Sequence, residues 1–325
     1  YIHASDDDGE TWRPLSRLKL ADGMLLTLDD AVYVLGTGRE GGVRRDVYIT
    51  RSTDGGETWR ELVQIHEGPA WNSATGVVIR DGQLYRAYDT ATHQADRQLF
   101  VLAGNLSRDL LDPGSWRCSN AVGFPGLPEA MKRPINPDYR DHWLEANVVD
   151  IRGRLTVIAR CRIDDFGTCH LAGVCDLSDT EHDLKLEFTQ FHPFPGGQQK
   201  FHILYDDVSD LYWMVGNLVT DPQDHTGRFP RLRERGYRGG AGNERRILAL
   251  FYSLDSLNWL QAGVVAMSKD PMQGFMYSQM LIDGDDLIFA VRTSKAGGNN
   301  HDAELVTFHR LPHFRSQALD IHPQL

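Results

Sequence analysis

Apolar and polar positions alternate in short runs along this chain, and small clusters of Asp and Gly separate the runs at even intervals. A period of two marks a strand, because successive side chains point to opposite faces of a sheet. The runs group into a repeating unit: strand, Asp/Gly turn, strand, variable loop, strand, Ser/Asp/Gly turn, strand. One unit takes strands at 24–28, 32–36, 47–51 and 62–65, with its first turn at Asp29-Asp30. The next opens at 76–79 and 84–88 around Asp81-Gly82. A third uses 146–151, 155–160 and 169–175, a fourth 201–205, 211–215 and 247–252, and a fifth 278–282, 287–291 and 303–309. No long amphipathic helix interrupts this rhythm. Short strands at regular spacing indicate an all-β repeat fold.

The turn that closes the third strand of a unit carries its own signature. Ser52, Asp54, Gly56, Thr58 and Trp59 read S-x-D-x-G-x-T-W, and Ser5, Asp7, Gly9, Thr11 and Trp12 repeat it. Ser253, Asp255 and Trp259 form a worn copy, and Ser107, Asp109, Gly114 and Trp116 a stretched one. Asp and Ser side chains bond nearby backbone N–H groups, Gly supplies a positive φ, and Trp plugs the turn onto a neighbouring sheet. Residues 1–12 therefore read as the third strand and turn of a sixth unit. The expectation is a single domain over residues 1–325. It is a six-bladed β-propeller whose first blade is incomplete at the N-terminus, with a five-bladed ring as the alternative.

Composition narrows the class. At 325 residues and 41% hydrophobic content, a large core is within reach. The net charge of −11 argues against a general grip on nucleic acid, which depends on neutralising phosphates. No apolar run has the length of a membrane span. No metal, nucleotide or flavin motif is visible, so no cofactor is expected. The four cysteines (Cys118, Cys161, Cys169 and Cys175) match no zinc spacing, and reduced core thiols are favoured over a Cys161–Cys169 disulfide.

Candidate chemistry gathers at one end of the units. In an up-and-down blade, the start of strand one, the end of strand two and the start of strand three share a rim. Glu145 and Tyr277 fall just before a first strand. Arg160 and Arg292 end second strands, Arg245 opens a third strand, and His301 and Asp302 precede another. First strands line the axis, so Glu145 and Tyr277 are expected to meet there. Each has a plainer reading as a solvated or salt-bridged group, and Arg246 competes with Arg245. The insertion at 217–244 carries Arg228, Arg231, Arg233, Arg235 and Arg238. It reads either as a solvated mobile segment or as a basic lid over an anionic substrate.

The turns, together with 143–149, Arg160, 200–206, 245–250, 277–287 and 301–310, resemble the sialidase superfamily of Asp-box propellers. That resemblance implies an exo-glycosidase releasing a terminal sialic acid or related acidic sugar. Tyr277 would be the nucleophile and Glu145 its base, with Arg160 and Arg245 holding the substrate carboxylate. A phenol suits this chemistry because a carboxylate beside the anomeric carbon repels an anionic nucleophile, and guanidinium groups fork onto carboxylates. Arg292 stands where many sialidases carry a Tyr-Glu pair and would reshape the pocket it faces, with His301 and Asp302 on the same rim as further substrate-binding candidates, and no metal is implied. The family's first arginine and its acid Asp would lie ahead of residue 1, and Arg17, Arg39 and Asp46 are not assigned to those roles. The resemblance alone favours a secreted or periplasmic location. Two other readings compete: a polysaccharide lyase acting on a uronic acid, and a propeller that binds glycans without catalysis.

Overall fold

The computed structural model describes residues 1–40, 43–73, 75–90, 96–132, 142–164, 170–180, 182–197, 199–295 and 297–320. A leading hairpin pairs β1 (Ile2–Ala4) with β2 (Arg13–Ser16). Five antiparallel sheets follow, each built in chain order. The first blade holds β3 (Ala21–Leu28), β4 (Ala31–Glu40), β5 (Val43–Ser52) and β6 (Val63–His66). The second holds β7 (Val78–Arg80), β8 (Gln83–Asp89), β9 (Gln98–Asn105) and β10 (Trp116–Cys118), with β11 (Val122–Gly123) also paired to β9. The third holds β12 (His142–Ile151), β13 (Arg154–Arg162), β14 (Leu171–Asp179) and β15 (Leu184–Pro193). The fourth holds β16 (His202–Asp206), β17 (Leu211–Asn217), β18 (Ile247–Ser253) and β19 (Leu260–Met267). The fifth has β20 (Phe275–Asp283), β21 (Asp286–Thr293) and β22 (Leu305–Leu311). Among the described residues the one α-helix is α1 (Phe229–Glu234), and no helix is long and apolar enough to cross a membrane.

The fold is a five-bladed propeller, so the six-bladed expectation is corrected and its alternative stands. The repeated turn misled the count. Both full copies close as read: Gly9 N–H donates to Ser5 Oγ at 2.8 Å and Gly56 N–H to Ser52 Oγ at 2.8 Å. Thr11 and Thr58 N–H donate to Asp7 and Asp54 at 2.8 and 2.9 Å. The indoles of Trp12 and Trp59 donate to the Gly9 and Gly56 carbonyls at 2.9 and 3.0 Å. The motif specifies a turn between two antiparallel strands, and β1–β2 is only that. The hairpin fills the seam between the last blade and the first. Trp12 packs on Phe308 of β22 with ring centroids 5.8 Å apart, while Ser16 takes the Trp59 indole at 2.8 Å and donates to Gly56 O at 2.7 Å.

Blades stack face to face, so their middle strands are buried on both sides. On β8, Leu84 and Tyr88 pack against Leu35 and Ile49 of the first blade, while Tyr85 and Ala87 pack against Val148 and Val157 of the third. Burying each large apolar side chain contributes roughly 1.5–3 kcal/mol. Trp143 and Trp213, both fully buried, anchor the third and fourth blades. Cys118, Cys161 and Cys175 are free thiols, and Cys169 lies outside the described residues.

Candidate functional site at the axial mouth

Glu145 and Tyr277 do not precede first strands, as the spacing suggested; they lie inside them. In β12 the register with β13 shifts between Leu144 and Asn147, and in β20 the register with β21 shifts between Met276 and Gln279. Within these bulges Glu145 has φ 52° and Tyr277 φ 53°. A third bulge of the same kind occurs in β3, between Ala21 and Met24, where Asp22 has φ 50°. Left-handed backbone costs a residue with a Cβ on the order of 1–3 kcal/mol and concentrates where a side chain must be re-aimed. The first strands of blades one, three and five therefore share one device, and it carries a carboxylate, a carboxylate and a phenol.

The second blade grips the Glu145 bulge. Asn72 Nδ2 donates to Ala87 O at 2.7 Å and to Ala146 O at 2.9 Å. Glu145 N–H donates to Asp89 Oδ2 at 3.3 Å, and Ser73 Oγ donates to Glu145 Oε1 at 3.3 Å. Arg160 Nη1 donates to Glu145 Oε2 at 2.5 Å, with both residues buried. Arg160 also lies close enough to the Tyr277 phenol to couple to it electrostatically, so one guanidinium serves both the phenol and the glutamate. Burial pushes the Glu145 carboxyl up, but Arg160, Lys200 and Arg245 outweigh it and hold the group below its ordinary value.

The other predicted residues surround this pair. Arg245 and Arg292 place their guanidinium carbons 5.4 and 5.3 Å from the Tyr277 ring centroid. Burial pushes Arg245 down to about 10. Arg246 turns away to Glu244 Oε1 at 2.6 Å. Arg292 Nη2 donates to the His301 carbonyl at 3.0 Å, and His301 Nδ1 lies 3.0 Å from Asp302 Oδ1. Burial first, then Arg245, lower the His301 pKa. Asp302 lies furthest out and pairs with Arg238 at 3.2 Å. The structure thus brings Glu145, Arg160, Tyr277, Arg245, Arg292 and His301 together and leaves Asp302 on the rim.

The insertion at 217–244 folds around its own small core of Phe229, Leu232, Tyr237, Ala241 and Met272. Glu244 is its hub, accepting from Thr220 N at 2.7 Å, Arg228 at 3.0 Å and Arg246. The reading as a loose solvated segment is therefore corrected. Arg231, Arg233 and Arg235 remain exposed.

Sequence reasoning missed several groups. Lys200, 3% exposed, sits just before β16 and donates to Phe201 O. Burial lowers its pKa to about 7, with Glu145 opposing and Arg160 and Arg86 adding to the fall. Asp22, Asp89 and Tyr237 were also missed. The signal for Asp22 was the break of an apolar strand by Asp22-Gly23, which matches the break made by Glu145 in β12.

No protein-family model matches the chain, and no curated protein matches it. Solved structures do. An alpha-L-arabinanase of Penicillium chrysogenum complexed with arabinobiose superposes with a TM-score of 0.54 at 14% identity, over 96% of this chain and 84% of that one. The catalytic domain of a Coprinopsis cinerea alpha-L-arabinofuranosidase gives 0.52 at 12%, over 96% and 94%. An alpha-L-arabinofuranosidase from Lactobacillus brevis gives 0.52 at 10%, over 90% of both chains. At these identities the likeness establishes the propeller fold. The resemblance to the sialidase superfamily is overturned: the structural neighbours are five-bladed arabinanase and arabinofuranosidase propellers, and the repeated turn is a local solution to joining two strands rather than a family mark.

Proposed function

We propose that this protein is a glycoside hydrolase acting on a sugar that bears a carboxylate, with Tyr277 as nucleophile and Glu145 as its base. The observation that carries the reading is the set of guanidinium groups around the phenol: Arg160, bonded to the Glu145 carboxylate, couples to Tyr277, and Arg245 and Arg292 stand over its ring. As the phenol attacks, Arg160 stabilises the phenolate that forms, and Glu145, held ionised by the cations around it, is the group able to accept the proton. Arg245 and Arg292 flank the phenol and supply forked donors for the substrate carboxylate. Asp22, on the matching bulge of β3, serves as the acid for the leaving oxygen. That role was expected upstream of residue 1, an expectation that rested on the overturned resemblance. The neighbours' activities on arabinan-type glycans support a glycan substrate, and the cationic mouth supports an acidic one.

The test is turnover of a panel of nitrophenyl glycosides. It spans carboxylated sugars and neutral ones, the latter including arabinofuranoside and galactoside. Hydrolysis confined to carboxylated sugars is expected, and Tyr277→Phe should lower kcat at least about 10³-fold while leaving the protein folded. Preference for a neutral sugar, or full activity in Tyr277→Phe, overturns the reading. A product absorbing as an unsaturated uronate marks a lyase instead.

A further inference from the structure

We infer that Tyr237 is a substrate-binding residue whose hydroxyl joins the free edge of Arg245 in one seat for a carboxylate oxygen. This rests on the reading of the mouth as a carboxylate pocket, but it concerns a residue outside the Tyr277–Glu145–Arg160 cluster.

Tyr237 is 4% exposed, and its hydroxyl is buried without a hydrogen-bond partner among the described residues. Arg245 is 1% exposed, and its Nη1 is likewise buried and unpartnered. The rest of Arg245 is anchored, since its Nε donates to Asn243 Oδ1 at 3.0 Å. The two side chains are close enough to couple electrostatically, and Arg245 couples more strongly to Tyr277. Other charged groups near the phenol of Tyr237 are already committed. Glu244 takes Thr220, Arg228 and Arg246, and Arg246 also donates to Ser268 O at 3.3 Å.

A buried hydroxyl left without a partner costs roughly 1–3 kcal/mol. Phenylalanine would fill the same space against Phe229, whose ring centroid is 5.4 Å away, without that cost. The backbone adds no reason for a hydroxyl, because Tyr237 N–H is satisfied by Leu232 O at 3.0 Å. The hydroxyl is therefore matched to a partner that arrives from outside. Burial and then Glu244 raise its pKa, so it keeps its proton and donates. A guanidinium can only donate. Two neighbouring buried donors without partners, one of them cationic, call for an anionic acceptor, and the oxygen of a carboxylate suits both.

The experiment compares the full-length wild type, Tyr237→Phe and Tyr277→Phe. Binding of acetate, D-glucuronate, 3-deoxy-D-manno-octulosonate and, as neutral control, D-glucose is followed by titration NMR and thermal shift. At least one carboxylate should bind wild type and glucose should not. Tyr237→Phe should weaken that binding about tenfold, with a ligand-free melting temperature equal to or above wild type. Tyr277→Phe should bind as wild type does. Unchanged binding in Tyr237→Phe, no carboxylate bound by wild type, or a clear loss of ligand-free stability in Tyr237→Phe would each overturn the seat. The two readings fail separately. If Tyr277→Phe abolishes turnover but Tyr237→Phe leaves binding alone, only the seat falls. If no glycoside is cleaved yet binding depends on Tyr237, only the catalytic reading falls.

Discussion

Glu145→Gln tests the centre of the mouth most directly. The substitution keeps the side-chain length and leaves an acceptor for Ser73, but it removes the charge facing Arg160. The two groups sit 2.5 Å apart, with Glu145 fully buried and Arg160 5% exposed. Removing one member of such a buried pair strands the other charge away from water, which costs about 3–5 kcal/mol. In a chain of 325 residues each kcal/mol lowers the melting temperature by about 1.5 °C, so a fall of about 4–7 °C is expected. Loss of the base should also lower kcat by about 10²–10⁴-fold. The pH dependence has a definite sign. Glu145 titrates lower in the folded protein than its ordinary 4.5, so its contribution is complete above 4.5 and is lost as pH falls through the lowered folded value. The gap between wild type and variant should therefore be full at neutral pH and close in acid. Arg160→Met added to Glu145→Gln removes the stranded charge and should recover at least half of the lost stability. Calorimetric melting of the three proteins across pH reads the stabilities, and turnover assays read kcat. If Glu145→Gln melts within about 1 °C of wild type, or the double variant melts as low as the single one, the account of this pair is wrong.

Further expectations follow from other parts of the molecule. Asp22→Asn should lower kcat by about 10²–10⁴-fold on substrates with alkoxide leaving groups and scarcely on a dinitrophenyl glycoside, which departs without protonation; equal losses on both would remove Asp22 as the acid. Lys200, whose pKa falls from 10.5 to about 7 on burial, carries a penalty of at most about 5 kcal/mol at and below pH 7. Stability then rises with pH between 7 and 10.5, because the unfolded chain holds the extra proton. Lys200→Met should flatten that rise in urea titrations run across this range, and a slope like that of wild type would show the amine to be solvated. Gly9→Ala sets a Cβ 2.5 Å from the Phe308 ring at φ 87°. It should cost about 1–3 kcal/mol by urea titration with kcat unchanged; unaltered stability would mean that the hairpin does not dock in the seam.

The strand–turn order, the all-β class and the residue types of the mouth were legible from the chain alone, because strand periodicity and turn chemistry are local. The hydrogen bonds of both S-x-D-x-G-x-T-W turns follow from the residues within them, wherever the turn sits. That locality is also why the motif could not count blades: β1–β2 obeys the same rules as β5–β6 yet forms a separate two-stranded sheet. Arg160, Arg245 and Arg292 were found because the alternation fixes which end of a strand each occupies. Tyr237 was not, since its place depends on how the insertion packs on Phe229 and Met272. Asp22 was passed over because a bulge is a mismatch between two strands and shows only when they pair. The sequence by itself determined the turns, the strands and a supply of phenol, carboxylate and guanidinium groups. Only the tertiary structure decided that five sheets close the ring, that three first strands bulge at Asp22, Glu145 and Tyr277, and that burial and the cations around it set the charge of Glu145, because register, desolvation and proximity belong to segments far apart in the chain.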